Sequence, residues 1–206
     1  MTVDVRGRCT HSILPTMTIS PQNVARTLTN ALNPFAIFTL LFALTALEEA
    51  GVVRGLLYLT LELLAAAAVA GYVLLLRRRS RVGDFWISVR VERVMPAVFL
   101  LAAFVALLGV LVLLGSPQDL FLVTLSMGLA SAAVAGITLL WKASAHCTVG
   151  AHAAVAGLLL LGPLGLVFLL ALPLIVWSRV TLKAHTLSQT LTGAAVGAGF
   201  AVLFLA

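Results

Sequence analysis

Apolar residues along this chain come in long runs, and polar residues gather in short clusters between them. Ser20-Pro21 is a helix start, with Ser as N-cap and Pro at the first helical position. The stretch from Gln22 to Leu32 is amphipathic and stops at Asn33-Pro34, which predicts a helix lying at a membrane interface. The first apolar run, Phe35–Leu47, is closed by Glu48-Glu49. It reaches only about 20 Å at helical rise, so a crossing there needs the Ala31–Pro34 lead-in. Further runs are Val52–Leu76, carrying Arg54 and Glu62, then Met95–Leu114 and Leu120–Trp141, with a Gly115–Asp119 turn between the last two. Thr148–Leu161 and Leu164–Trp177 are two short pieces separated by Gly162-Pro163. Each is about 21 Å long as a helix, which predicts a helical hairpin rather than one kinked crossing. A last span runs to the C-terminus.

Composition removes the soluble alternatives. Apolar types make up 62% of the 206 residues and charged types 10%, against roughly a quarter charged in a soluble domain. The mean hydropathy is +1.14. So few polar groups cannot cover the surface of a soluble protein. The many Gly and Ala residues suit closely packed helices, and no stretch alternates as barrel strands do. The expectation is an all-α, multi-pass transmembrane helical bundle of about six to seven membrane helices. Residues 1–33 would form a leader and the interfacial helix, and 34–206 the membrane domain. Residues 1–16 read as an unstructured leader without the order of a secretory signal, and Met17 is an alternative start. The net charge of +6 has no soluble basic domain to serve, so nucleic acid is not expected as a partner; the charge reads as topology and anion binding. Cys9 and Cys147 form no framework. Oligomeric state is not readable from the chain.

The layout predicts which polar segments share a side. Two crossings separate the Arg77–Arg93 loop from the Lys142–His146 island, and the hairpin separates that island from Ser178–Ser188. All three segments then emerge at one membrane face. Between them they offer Arg93, Lys142 and Arg179 as cations, Ser144 as a hydroxyl, and His146 and His185 as imidazoles. Fixed cations with a hydroxyl suit a phosphate dianion, which Arg grips bidentately. Two histidines suit transfer at phosphorus, one attacking and one donating to the leaving oxygen. Gln189 lies four residues after His185 on one helix face, where its amide oxygen would orient the ring.

Ser178-Arg179, five residues and His185 resemble the third motif of the type-2 phosphatidic acid phosphatase superfamily, which includes lipid phosphatases and vanadium haloperoxidases. Ser144-Ala145-His146 is similar to that family's second motif, normally Pro-Ser-Gly-His. Arg93 with Pro96 resembles a degenerate first motif, normally Lys, six residues, Arg-Pro. The resemblance covers roughly Asp84 to Phe200 and implies a core of that family's kind. It implies His185 as nucleophile forming a phosphohistidine, His146 as general acid and then base, and Arg179, Ser144 and Arg93 as phosphate-binding groups. It implies no metal and no cofactor. Lys142 is outside the motifs and joins the set because it lies four residues before His146. Four positions depart. Trp86 stands where the first-motif Lys falls, with Lys142 or Arg90 as substitutes. Ala143 and Ala145 replace Pro and Gly, and Gln189 replaces the Asp after the nucleophile.

The expected function is therefore a membrane-embedded phosphatase acting on a lipid phosphomonoester or pyrophosphate, of the phosphatidic acid or polyprenyl phosphate type. The alternative is a weak or inactive relative that binds lipid phosphate or a membrane partner. A small transporter would explain Glu62 but not the paired histidines. Glu62 reads either as a site residue or as an acid hydrogen-bonded to a neighbouring helix. His152 reads as a packed core histidine, His11 as idle, Arg77–Arg79 and Arg81 as anchors at anionic headgroups, and Asp84 as a partner of nearby arginines. Gly193–Gly199 reads as a helix-packing run. Every Lys and Arg but Arg54 falls on the side of the polar islands, so the positive-inside rule puts that face of a cell-membrane protein in the cytoplasm. Membrane members of the superfamily usually work outside it.

Overall fold

The computed structural model describes residues 20–83, 92 and 94–206. Among these, every regular element is a helix: α1 (Pro21–Ala31), α2 (Pro34–Arg78), α3 (Val94–Leu113), α4 (Gln118–Leu140), α5 (Ala145–Leu161), a 3-10 turn (Gly162–Gly165), α6 (Leu166–Thr181) and α7 (Leu187–Leu205). Local chemistry sets the starts. Ser20 caps α1 by accepting from the Asn23 N–H at 3.2 Å, and Asn33 caps α2 by accepting from Ala36 at 3.0 Å. The buried residues of α1, Ala25 and Thr29, are four apart on one face, and Thr29 donates to the Ser178 hydroxyl of α6 at 2.9 Å.

Five helical stretches are long and apolar enough to cross a membrane: Pro34–Arg78, Val94–Leu113, Gln118–Leu140, Ala145–Thr181 and Leu187–Leu205. The first and fourth each fold back on themselves. In α2 the chain turns at Gly51, two residues beyond the acid pair expected to close the first run. Thr39 then donates to Glu62 at 2.9 and 3.1 Å, and Gly55 lies under the Ala46 carbonyl. The segments 34–50 and 52–78 are thus antiparallel arms. Likewise α5 and α6 return along one another, with Gly157 against Gly165 and Gly150 against Ile175.

Helix α5 is the centre of the bundle and touches α2, α4, α6 and α7. Its residues from His146 to Ala154 are all buried. Small side chains make this possible, because backbones without bulk between them can approach closely. On α7, Gly193 and Gly197 lie against the carbonyls of Ser144 and Thr148, where a Cβ would overlap main chain. The ascending numbers on both helices make α5 and α7 parallel. Outward, Val53, Leu113 and Leu140 are 84, 85 and 86% exposed, a surface suited to lipid tails and costly in water. The chain is a membrane-embedded helical protein.

The reversals fall at two ends. Gly51, Gly115 and Gly162 make the turns at one end, each at positive φ of 71, 60 and 55° with open space where a Cβ would sit. Backbone conformation, not crowding, demands glycine there. The opposite end gathers the start of α2, the end of its second arm, the start of α3, the end of α4, the starts of α5 and α7 and the end of α6.

Candidate functional site

Each site residue sits where a helix begins or ends. The islands read from the sequence as polar breaks are largely terminal helical turns. Ser144 is the N-cap of α5, its hydroxyl oxygen accepting from the Cys147 N–H at 3.4 Å. Its own N–H donates to the Gln189 carbonyl of α7 at 3.2 Å, and Thr148 donates back to its carbonyl at 3.0 Å. These bonds fix His146 in the first turn of α5.

Arg179 lies in the last turn of α6. The helix stops in a Schellman arrangement: Lys183 takes φ 53°, its N–H donates to Val180 at 2.9 Å, and the Ala184 N–H donates to the Arg179 carbonyl at 3.1 Å. The His185 N–H reaches the same carbonyl at 3.3 Å. This rolled-back end is why Arg179 and His185, six positions apart, are held together. Thr186 then caps α7. Its hydroxyl accepts from the Gln189 N–H at 3.3 Å, and its N–H donates to the Gln189 amide oxygen at 3.2 Å, closing a capping box.

His146, Arg179 and His185 are each at least nine-tenths buried and line one cavity of about 240 Å³ at the end where these helix termini meet. Arg179 and His185 lie close enough to the His146 ring to influence it electrostatically. The starts of α5 and α7 add their partial positive charge at this end. A cationic group, two imidazoles and two helix N-termini suit an anion with several oxygens. The remaining wall is mostly apolar, from the two arms of α2, α3 and α4. A second cavity of about 50 Å³ shares Phe35, Val69 and Leu100 with it, so a greasy lane continues from the polar end along α2 and α3.

Other expected residues fare differently. Ser144 is fully buried, and it stands behind the cavity wall as a helix cap. Lys142 is half-buried beside Ala143, which does line the cavity, while Lys142 is outside the described lining. The amide oxygen of Gln189 is used in the α7 cap, a job the sequence reading did not include. Arg93, with Arg90, Trp86 and Asp84, lies outside the described residues, as do Cys9, His11 and the leader. Glu62 is 3% exposed, accepts from Thr39 and borders the second cavity rather than the first. His152 is fully buried, its Nε2 2.8 Å from the Ser126 hydroxyl of α4. The wall also carries three hydroxyls the sequence reading missed, Ser131, Thr138 and Thr148. No signal distinguished those on α4 from ordinary polar positions in an apolar run.

Fold and cavity together define a membrane-embedded helical protein with an anion-suited pocket among its helix ends. Comparison with protein-family models, with curated proteins and with solved structures finds no match for this chain.

Proposed function

We propose that this protein is a multi-pass membrane phosphatase that hydrolyses a lipid phosphomonoester or pyrophosphate through a phosphohistidine. The observation that carries the reading is the convergence of His146, Arg179 and His185 on one cavity whose remaining wall is mostly apolar. The phosphate would sit against Arg179, and the tail would follow the lane past Val69 and Leu100. The His185 ring attacks phosphorus, and the bond from phosphorus to the lipid oxygen breaks. His146 gives its proton to that oxygen, and the lipid alcohol, or the lipid monophosphate in the case of a pyrophosphate, leaves. His146 then takes a proton from water, the water oxygen attacks phosphorus, and the bond to His185 breaks to release phosphate. Arg179 neutralises charge on the phosphoryl oxygens in both steps. Lys142 and Arg93 remain proposed phosphate-binding helpers. With both hairpins spanning, the chain crosses the bilayer seven times, and the cation-rich end that carries the cavity faces the cytoplasm of a cell membrane.

Gln189 favours a second reading. In the resembled family an acid follows the nucleophile, whereas here an amide stands at that place and caps a helix. A relative that binds lipid phosphate without turning it over would tolerate this. Phosphate release by purified protein from phosphatidate, lysophosphatidate and a polyprenyl pyrophosphate separates the two, with His185→Ala as control. An acid-labile phosphoryl group on the wild type and none on the variant supports the enzyme. No turnover of any of the three lipids supports the binder.

A further inference from the structure

Helix α4 carries none of the residues in the proposed reaction, yet it forms one wall of the cavity lined by His146, Arg179 and His185. Ser131 and Thr138 lie seven residues apart, two turns on one face, and both line it. Their hydroxyls differ from most buried hydroxyls of the bundle; Thr45 is likewise without a back-bond but lies away from this cavity. Thr124, Thr148 and Thr190 donate back to carbonyls of their own helices at 2.8, 3.0 and 2.7 Å, and Ser126 and Ser178 do so at 3.2 and 2.8 Å. That back-bond is the usual resting place of a helical hydroxyl in an apolar setting. Thr138, 6% exposed, makes no such bond, nor does Ser131, and neither has another hydrogen-bond partner among the described residues. Two unspent donors therefore line the cavity. Thr138 is at the level of the helix ends that hold His146, and Ser131 is about 10 Å deeper.

We propose that Thr138 and Ser131 are substrate-contacting residues. They select a lipid phosphate whose linker carries hydrogen-bond acceptors, such as ester carbonyls, over one whose phosphate joins plain hydrocarbon. Thr138 takes an acceptor beside the phosphate, and Ser131 takes one further along the linker. A prenyl or alkyl chain offers neither, and would leave both donors dry and unpaired in the occupied pocket, which is unfavourable. The inference deepens the phosphatase reading and rests on it for the position of the phosphate.

The test uses the full chain in detergent micelles and compares kcat/KM for a diacylglycerol phosphate and a long-chain prenyl monophosphate. The wild type should prefer the ester lipid. Thr138→Val and Ser131→Ala should each lower that preference by about three- to tenfold, the scale of one neutral hydrogen bond, chiefly through KM. Thr138→Ser should restore it, which a purely structural role would not require. Equal preference in the variants and the wild type, or a wild type that favours the prenyl lipid, overturns the proposal. If neither lipid is hydrolysed, the phosphatase reading fails by itself. Displacement of a fluorescent lipid phosphate by the same two lipids then decides. A preference for the ester lipid that Thr138→Val removes upholds the two hydroxyls, and its absence in the wild type overturns them.

Discussion

The two ends of this bundle are built by opposite means. At one end the chain reverses in tight turns at Gly51, Gly115 and Gly162, all at positive φ, and the charges nearby are few: Glu48, Glu49, Arg54 and Asp119. Even Arg54 is occupied, its guanidinium donating to the Leu114 carbonyl at 3.0 Å and lying 6.0 Å from the Tyr58 ring. At the other end the connections carry side chains with chemistry, and every described Lys and Arg except Arg54 is found there. The first end makes topology and the second uses it. Because the far turns are short, parallel α5 and α7 with α6 between them must bring the Ser144 cap and the His185 turn to one place.

The sharpest way to test this division is at the polar end. His185→Ala should reduce phosphate release to background, and His146→Ala should reduce it about 100- to 10,000-fold, as loss of a general acid does; initial rates on a lipid phosphate read both. A variant of either that keeps full activity moves the chemistry elsewhere. Next comes the joint between the halves. Gly197→Val places side-chain atoms in the Thr148 carbonyl, so it should destabilise the bundle by about 3 kcal/mol and lower activity with it, as thermal unfolding in detergent measures.

Gly51→Ala probes the far end. Its φ of 71° and ψ of 175° form a backbone state open almost only to glycine, so alanine should cost about 1–3 kcal/mol. Turnover per folded molecule should stay unchanged, and a fall in kcat would show that the ends are not independent. The smallest effect is expected between them. Glu62→Gln keeps an acceptor for Thr39 and should alter stability by under about 1 kcal/mol, with turnover within about twofold. A large loss of kcat would make Glu62 a participant rather than a pin between the arms of α2.

The comparison also explains what could be read in advance. The all-helical architecture, the short capped helix α1 and the hairpin at Gly162 follow from local properties: run length, caps, and a Gly-Pro break in an apolar stretch too long for one straight crossing. His146, His185 and Arg179, which line the cavity, stand out in the chain because their spacing from neighbouring serines is itself local. The same spacing suggests phosphate binding for Ser144 and ring orientation for Gln189, but a side chain at a helix start has a second use in capping, and only the fold reveals which groups it reaches. Arg93 stays outside what the structure describes.

By itself, the sequence determined that this is a membrane protein of stacked apolar helices, because hydrophobicity, helix period and terminal capping act over a few residues and need no partner. It also determined that polar groups would collect at one face, because the number of reversals fixes the side. Tertiary structure alone decided that Gly193 and Gly197 seat α7 against α5, that Thr39 reaches Glu62, and that Ser131 and Thr138 face the cavity with hydroxyls unspent. Those facts depend on which helices meet, at what rotation and depth, and the many near-equivalent apolar faces of such a chain leave that choice to three-dimensional packing.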